Sequence, residues 1–198
     1  MKLCGLTGGV GMGKSTAAGF FLEFGARIVD TDALARELVE PGQPALAEIQ
    51  REFGGHVVGA DGRLKRGELA RLVFADAGAR KVLEGILHPR IRERWQARVA
   101  LWRQEDCAVA MVVIPLLYET GAETAFDQVI CVACSAAGQE ARLQSRGWPP
   151  EQARGRVAAQ WPVEQKIARA HSVVWTEGTV ENHRRQVEAI ARELKVGD

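Results

Sequence analysis

The sequence predicts an α/β fold: a five-stranded parallel sheet flanked by helices and carrying two helical insertions. Three observations lead there. Five short apolar runs with strand character, at 3–6, 27–29, 109–114, 129–134 and 172–175, alternate with segments of helical period, as in a sheet whose faces helices cover. A glycine-rich loop joins the first run to the first helical segment. About eighty residues separate the second run from the third, far more than a simple crossover needs.

The first run leads into Gly8-Gly9-Val10-Gly11-Met12-Gly13-Lys14-Ser15, which matches G-x-x-x-x-G-K-[ST] between a strand and a helix. Glycines at these positions let backbone N–H groups curl around phosphate oxygens, through positive φ and with no Cβ in the way. The pattern therefore places Gly8, Gly11, Met12, Gly13, Lys14, Ser15 and Thr16 around a nucleoside triphosphate. Lys14 brings charge to the outer phosphates, Ser15 offers a hydroxyl to Mg²⁺, and the helix N-terminus faces the anion. This makes the α/β fold a P-loop NTPase fold. The first helix is expected over 14–24, stopping at Gly25 in the C′ position.

The second strand runs into Asp30-Thr31-Asp32, at the sheet edge where open α/β folds bind ligands. Residues 33–104 then read as a helical insertion, punctuated by Pro41-Gly42, Gly54-Gly55 and Asp61-Gly62. From His88 to Gln104, Ile91, Trp95, Val99 and Trp102 form a core stripe, and Arg90, Arg94 and Arg98 a separate row that reads as a solvated face. A second insertion, 135–165, is rich in Arg and broken by Gly147, Pro149, Pro150 and Pro162, the composition of a mobile helical lid. The core is thus expected at 1–32, 105–134 and 166–198.

The bulk properties narrow the function. With 198 residues and 46% apolar content the chain suits one α/β core with insertions. A net charge of +1 gives no general attraction to nucleic acid or anionic lipid, so neither is expected as a partner. No signal peptide and no apolar run of membrane-spanning length are read, so a cytoplasmic location is expected. The oligomeric state is not legible. Cys131-x-x-Cys134 has redox or zinc spacing, but residues three apart on a strand point to opposite faces, which favours packing.

A phosphate loop alone admits kinases, GTPases, motors and switches. No N-K-x-D base-reading segment is present, and Val112-Val113-Ile114 runs into Pro115 where a Walker B strand would end in Asp. Small-molecule kinases place their acidic group elsewhere, and Asp30 and Asp32 are the nearest candidates. Transfer to a hydroxyl needs a carboxylate near the acceptor, cations around the moving phosphoryl and exclusion of water.

With those residues in hand the chain resembles the dephospho-CoA kinases. The family's pattern is recognisable at 6–16, in VDTDALA at 29–35, EPGQPAL at 40–46, LVFAD at 72–76, ILHPRIRE at 86–93 and IPLLYETG at 114–121, then in Arg142, Arg146, Arg156 and Gln160. The resemblance implies ATP- and Mg²⁺-dependent phosphorylation of the ribose 3′-hydroxyl of dephospho-CoA, and a core with a substrate domain and a lid. Against that implication Asp32 reads either as a helix cap or as the base that orients the 3′-hydroxyl. Asp30 reads as holder of a magnesium-bound water. His88 and Arg92, four apart, read as a grip on the acceptor or, with Pro89, as a helix start. Leu116 and Glu119 fall where the family places acceptor contacts, Glu119 being the more credible and Leu117 packed. Arg142 and Arg146 share a face and reach phosphates on closure, or lie solvated.

The chain departs from the family at Val174-Trp175-Thr176-Glu177-Gly178, where an Asn and a Gly near the adenine are usual. Thr176 then offers the donor's base a hydroxyl where the family has an amide, so recognition of adenine is expected to be weaker, or to rely on backbone contacts or on stacking on Trp175. His171 and Trp161 also stand where the family more often has Asp and Met. Two other readings remain: a kinase of the same class with another acceptor, and a nucleotide-binding regulator that does not turn over.

Overall fold

A computed structural model describes residues 1–197. Strands β1 (Lys2–Gly8), β2 (Arg27–Asp30), β3 (Val109–Val113), β4 (Gln128–Ala133) and β5 (Ser172–Trp175) form one sheet in the order β2-β3-β1-β4-β5. β1 lies at the centre, paired in parallel with β3 (Leu6 opposite Val113) and with β4 (Gly8 opposite Val132). All of β3 and all but the first residues of β1 and β4 are buried, as expected for parallel strands covered on both faces. Helix α1 (Lys14–Glu23) and the C-terminal helix α9 (Val180–Leu194) pack on one face, where Phe20, Phe21, Val187, Ile190 and Leu194 meet Leu6, Met111, Ile130 and Val132. Gly25, at φ 105°, turns the chain into β2, so α1 ends where the glycine was expected to end it.

The chain divides into two compact units, one of residues 1–29 and 101–198 and one of Asp30–Ala100. The second unit holds α2 (Thr31–Glu37), α3 (Pro44–Phe53), α4 (Arg66–Ala75) and most of α5 (Ala77–Gln104). Its own core gathers Leu38, Val39, Ile49, Val57, Leu69 and Ile86. Asp30, Thr31 and Asp32, expected with the core, open this unit instead. Residues 135–165 form no separate unit; α6 (Ala136–Ser145) and α7 (Pro150–Ala158) belong to the first, as does α8 (Val163–Arg169).

Two expectations in the second unit are corrected. His88-Pro89 does not start a helix, because α5 runs unbroken through Pro89. Proline removes the bond to the carbonyl four residues earlier, here that of Gly85. Nor is the row of Arg90, Arg94 and Arg98 simply solvated. Arg90 donates to Glu48 at 2.6 Å, Arg94 to Gln43 at 3.0 Å, and Arg98 to Glu37 at 3.3 Å. The row ties α5 to α3 and to the end of α2 within the unit, while Trp95 and Val99 on the stripe are buried.

Candidate active site

The loop after β1 is built as its glycines require. Gly8, Gly11 and Gly13 lie at φ 144°, 77° and 96°, conformations that other residues adopt only under strain. A Cβ on Gly8 would stand 2.1 Å from the Val132 carbonyl oxygen. Gly13 caps α1 without a side chain, and the first turn of α1 holds no acidic residue, so nothing in that turn neutralises the helix's positive end. Lys14 folds back over the loop, its Nζ donating to the carbonyls of Gly8 at 2.8 Å and Gly9 at 2.9 Å. Ser15 and Thr16 are exposed at the start of α1. Met12 is 3% exposed and packs against Ala133 and Cys134, so it offers a ligand only its backbone.

Groups distant in sequence grip the outside of this loop. Gln139 on α6 donates from Nε2 to the Val10 carbonyl at 2.7 Å, and the Val10 N–H donates to Oε1 of Gln160 at 2.8 Å. The Thr176 hydroxyl donates to the Met12 carbonyl at 2.9 Å and accepts from Nη1 of Arg142 at 2.7 Å. Nη2 of Arg142 donates to the Thr176 carbonyl, and the Thr176 N–H donates to Ala133 at 2.8 Å. Thr176 is therefore not the base contact expected: it is 3% exposed and its polar atoms are engaged inward. Trp175, by contrast, is 42% exposed, its N–H and carbonyl both held by Gln186.

Helix α6 is anchored at its start as well. Ser135 caps it, accepting from the Gly138 N–H at 3.0 Å, and donates from N–H and hydroxyl to the Glu177 carboxylate. Those two bonds hold the Glu177 carboxyl below the ordinary range. Arg142 is half-buried beside the loop, whereas Arg146, at the C-cap of α6, is exposed. Arg156 stacks on Trp148 at 4.7 Å.

Behind the loop lies a buried ion pair. Lys166 on α8 is fully buried, and its Nζ donates to Glu119 Oε1 at 2.7 Å and to the Pro115 carbonyl at 2.8 Å. The same Glu119 oxygen accepts from the Trp161 N–H at 2.7 Å. A buried ammonium needs such a partner. Through that one oxygen Glu119, expected at the acceptor, fastens α8 and Trp161 to the segment after β3, while its Oε2 is buried with no hydrogen-bond partner among the described residues. Leu117 is fully buried, as expected, and Leu116 is half-buried. Burial pushes the Cys131 thiol up to about 11; with Cys134 also buried, the pair behaves as small hydrophobes. His171 accepts from the Val129 N–H at 3.0 Å through Nδ1, a structural tie.

In the second unit the cap of α2 is Asp30, whose Oδ1 accepts from the Asp32 N–H at 2.9 Å. The capping alternative for Asp32 therefore falls to Asp30, and Asp32 stands exposed in the first turn. His88 and Arg92 are exposed on α5 and, unlike the neighbouring arginine row, make no ion pair among the described residues.

Sequence reasoning passed over Gln139, Lys166 and Glu177. The first two had a signal: Gln139 shares a face with Arg142, Leu143 and Arg146, and Lys166 takes a core position beside Val163 and Ile167. A polar residue at a core position of an amphipathic helix needs a buried partner.

A family model described as dephospho-CoA kinase matches residues 2–182. A dephospho-CoA kinase of Symbiobacterium thermophilum is 42% identical over 193 residues, 97% of this chain and 81% of the relative. One of Anaeromyxobacter dehalogenans is 43% identical over 198 residues, 100% of this chain and 94% of the relative. Among solved structures, a Thermus thermophilus protein superposes with a TM-score of 0.84 at 34% identity, covering 98% of this chain and 97% of that one. A dephospho-CoA kinase from Campylobacter jejuni gives 0.71 at 22% identity over 97% and 96%, a likeness of fold.

Proposed function

The chain belongs to the dephospho-CoA kinase family, and we propose that Lys14, Asp32 and Arg142 carry the transfer that defines it. The reaction moves the γ-phosphoryl of ATP to the ribose 3′-hydroxyl of dephospho-CoA, giving CoA and ADP, the final step of coenzyme A synthesis. The observation that carries the assignment is the phosphate loop, whose left-handed glycines, with a helix N-terminus that has no acidic residue in its first turn, make an anion site. There Gly8, Gly11, Met12, Gly13, Ser15 and Thr16 hold the donor phosphates through backbone or hydroxyl. Lys14 exchanges its loop carbonyls for the outer phosphates, and Arg142 and Arg146 neutralise charge as it moves.

Asp32 takes the proton of the attacking hydroxyl, a role its exposed place in the first turn of α2 supports. The acceptor is taken by His88 and Arg92, gripping its phosphate or adenine, with Leu116 as an apolar contact; 135–165 closes as the lid. The donor set suits Mg²⁺ only as a companion of the nucleotide. Among the described residues no cluster of three His, Cys, Asp or Glu could hold a metal, and Ser15, with Asp30 through a water, supplies too few ligands for an independent site. When bound, Mg²⁺ would neutralise charge on the phosphates. The proposal includes a cytoplasmic location, where the four free cysteines would remain thiols.

An ADP-release assay across a panel of acceptors, with and without Mg²⁺, tests the reading. Dephospho-CoA should exceed nucleoside monophosphates and small alcohols by orders of magnitude, and chelation should abolish turnover. ADP release independent of dephospho-CoA would overturn it. Asp32→Asn should lower the single-turnover transfer rate by about 10²-fold or more while sparing ATP binding; an unchanged rate would remove Asp32 from the chemistry.

A further inference from the structure

The carbonyl side of the phosphate loop is held by two buried side chains to which neither the loop motif nor the family pattern gives this task. We propose that Thr176 and Gln139 are positioning residues, which aim the loop's N–H groups at the nucleotide by holding the carbonyls on the opposite side. The proposal rests on the reading of residues 8–15 as the ATP phosphate site.

The physical step is the planarity of the trans peptide, and no cis peptide occurs among the described residues. The carbonyl of one residue and the N–H of the next point in opposite directions, so fixing one fixes the other. Thr176 Oγ1 holds the Met12 carbonyl at 2.9 Å, which turns the Gly13 N–H the other way. Gln139 Nε2 holds the Val10 carbonyl at 2.7 Å, which does the same for Gly11. Neither N–H has a hydrogen-bond partner among the described residues, although the Met12 N–H between them bonds to Gly9.

Glycine makes this help necessary. Its wide range of φ and ψ leaves the adjoining peptide planes free to swing, and a swinging plane would have to be ordered afresh at each binding event. Thr176 and Gln139 are 3% and 7% exposed, so water competes weakly for the carbonyls they hold. Arg142 sharpens the effect. By donating to Thr176 Oγ1 at 2.7 Å it occupies a lone pair of the hydroxyl and leaves the proton for Met12. One threonine thereby sets the loop and places Arg142 beside it, which is preorganisation of the kind that electrostatic catalysis needs.

The test compares Thr176→Val, which keeps shape and loses the hydroxyl, with Thr176→Ser, which keeps the hydroxyl. ADP affinity by calorimetry, ATP kinetics, the ATP-to-GTP specificity ratio and thermal unfolding would be measured for each. Thr176→Val should weaken ADP binding and raise the KM for ATP by roughly tenfold, and lower kcat through Arg142. Thr176→Ser should return both to within about threefold of wild type, with the ATP-to-GTP ratio unchanged throughout. Gln139→Leu should reproduce the loss of ADP affinity, which keeps the proposal testable if the valine variant does not fold.

A lower melting temperature with unchanged ADP affinity would reduce both residues to a structural role and overturn the proposal. So would a collapse of the ATP-to-GTP ratio in Thr176→Val, since that would make the hydroxyl a base contact. Absence of ADP binding in the wild type would instead strike at the phosphate-loop reading itself.

Discussion

Helix α6 buries Gln139 and Leu143, and its polar side chains reach the phosphate loop and the segment after β5, whereas α7 buries none of its described residues. In the sequence the two belong to one arginine-rich insertion, with Arg142 and Arg146 four apart at the first and Arg154 and Arg156 two apart in the second. What separates them is where the chain enters each. α6 begins three residues after the end of β4, so its first turns must pass the loop that follows β1, the neighbouring strand. α7 begins at Pro150, after Gly147, at φ 72°, and the N-cap Pro149, which turn the chain before the helix starts. A cavity of about 330 Å³ lies between them, lined by Leu143, Trp148, Ala153 and Val157 among others. The charge of an arginine is therefore a poor guide to its use; the backbone it can reach decides.

The largest expected difference is in rate. Arg142→Ala should lower kcat by about 10³-fold, as loss of an arginine acting on a transferring phosphoryl does, and Arg156→Ala by less than about tenfold. Arg142→Lys should recover only part, because an ammonium cannot make the two parallel bonds that Nη1 and Nη2 make to Thr176. Steady-state kinetics at saturating ATP would decide. Equal losses in Arg142→Ala and Arg156→Ala would erase the distinction between the helices. A rise in KM with kcat spared would make Arg142 a ground-state clamp.

A smaller effect should follow from pressing the loop against α6. Gly11 sits at φ 77°, and a Cβ there would meet Leu143 Cδ2 at 3.0 Å. Gly11→Ala combines left-handed strain of about 1–2 kcal/mol with that contact, so nucleotide affinity should fall roughly tenfold. Gly155→Ala in α7, where a Cβ would meet nothing within 4 Å, should leave affinity unchanged and slightly stabilise the helix. Unchanged ATP affinity in Gly11→Ala would show that α6 does not brace the loop.

The same contrast explains what could be read from the chain. The strands, the loop and the stop at Gly25 were legible because each depends on neighbours within a few residues. The grip on the loop was not. Gln139 and Val10 are separated by 129 residues, and Thr176 and Met12 by 164. Thr176 was misassigned because it stands where the family resemblance puts the contact to the base, and nothing local reveals that the hydroxyl turns inward. Asp30 and Asp32 were legible as a pair, yet only the geometry of the turn shows which one caps. Lys166 carried a signal, a cation on an apolar stripe, but its partner Glu119 lies on another element.

Amide exchange offers a third comparison. Protection should be higher by about tenfold or more in α6, whose side chains are tied at Ser135, Gln139 and Arg142, than in α7 with no buried described residue. Equal protection would mean that α7 is held by contacts its burial does not reveal.

The smallest effect concerns pH, and it too should depend on α6 and not on α7. His183 on α9 is 5% exposed, its Nε2 lacks a hydrogen-bond partner among the described residues, and its ring meets Phe20 edge-on at 5.4 Å. Burial, and after it the charge of Arg142, hold its pKa below the ordinary 6.5. The unfolded chain takes up this proton as the pH falls through 6.5 and the native protein does not, so stability declines between that pH and the lowered native value, then levels. For one proton the slope cannot exceed about 1.4 kcal/mol per pH unit. Denaturant midpoints measured from pH 7.5 downward should show this component in the wild type and lose it in His183→Phe, which keeps the ring against Phe20. Arg142→Ala should shrink it, by removing the neighbouring cation, while Arg156→Ala should leave it intact. If His183→Phe keeps the full slope, other groups carry it; if Arg156→Ala shrinks it as much as Arg142→Ala does, the two helices are electrically equivalent at His183 and the contrast between them is confined to packing.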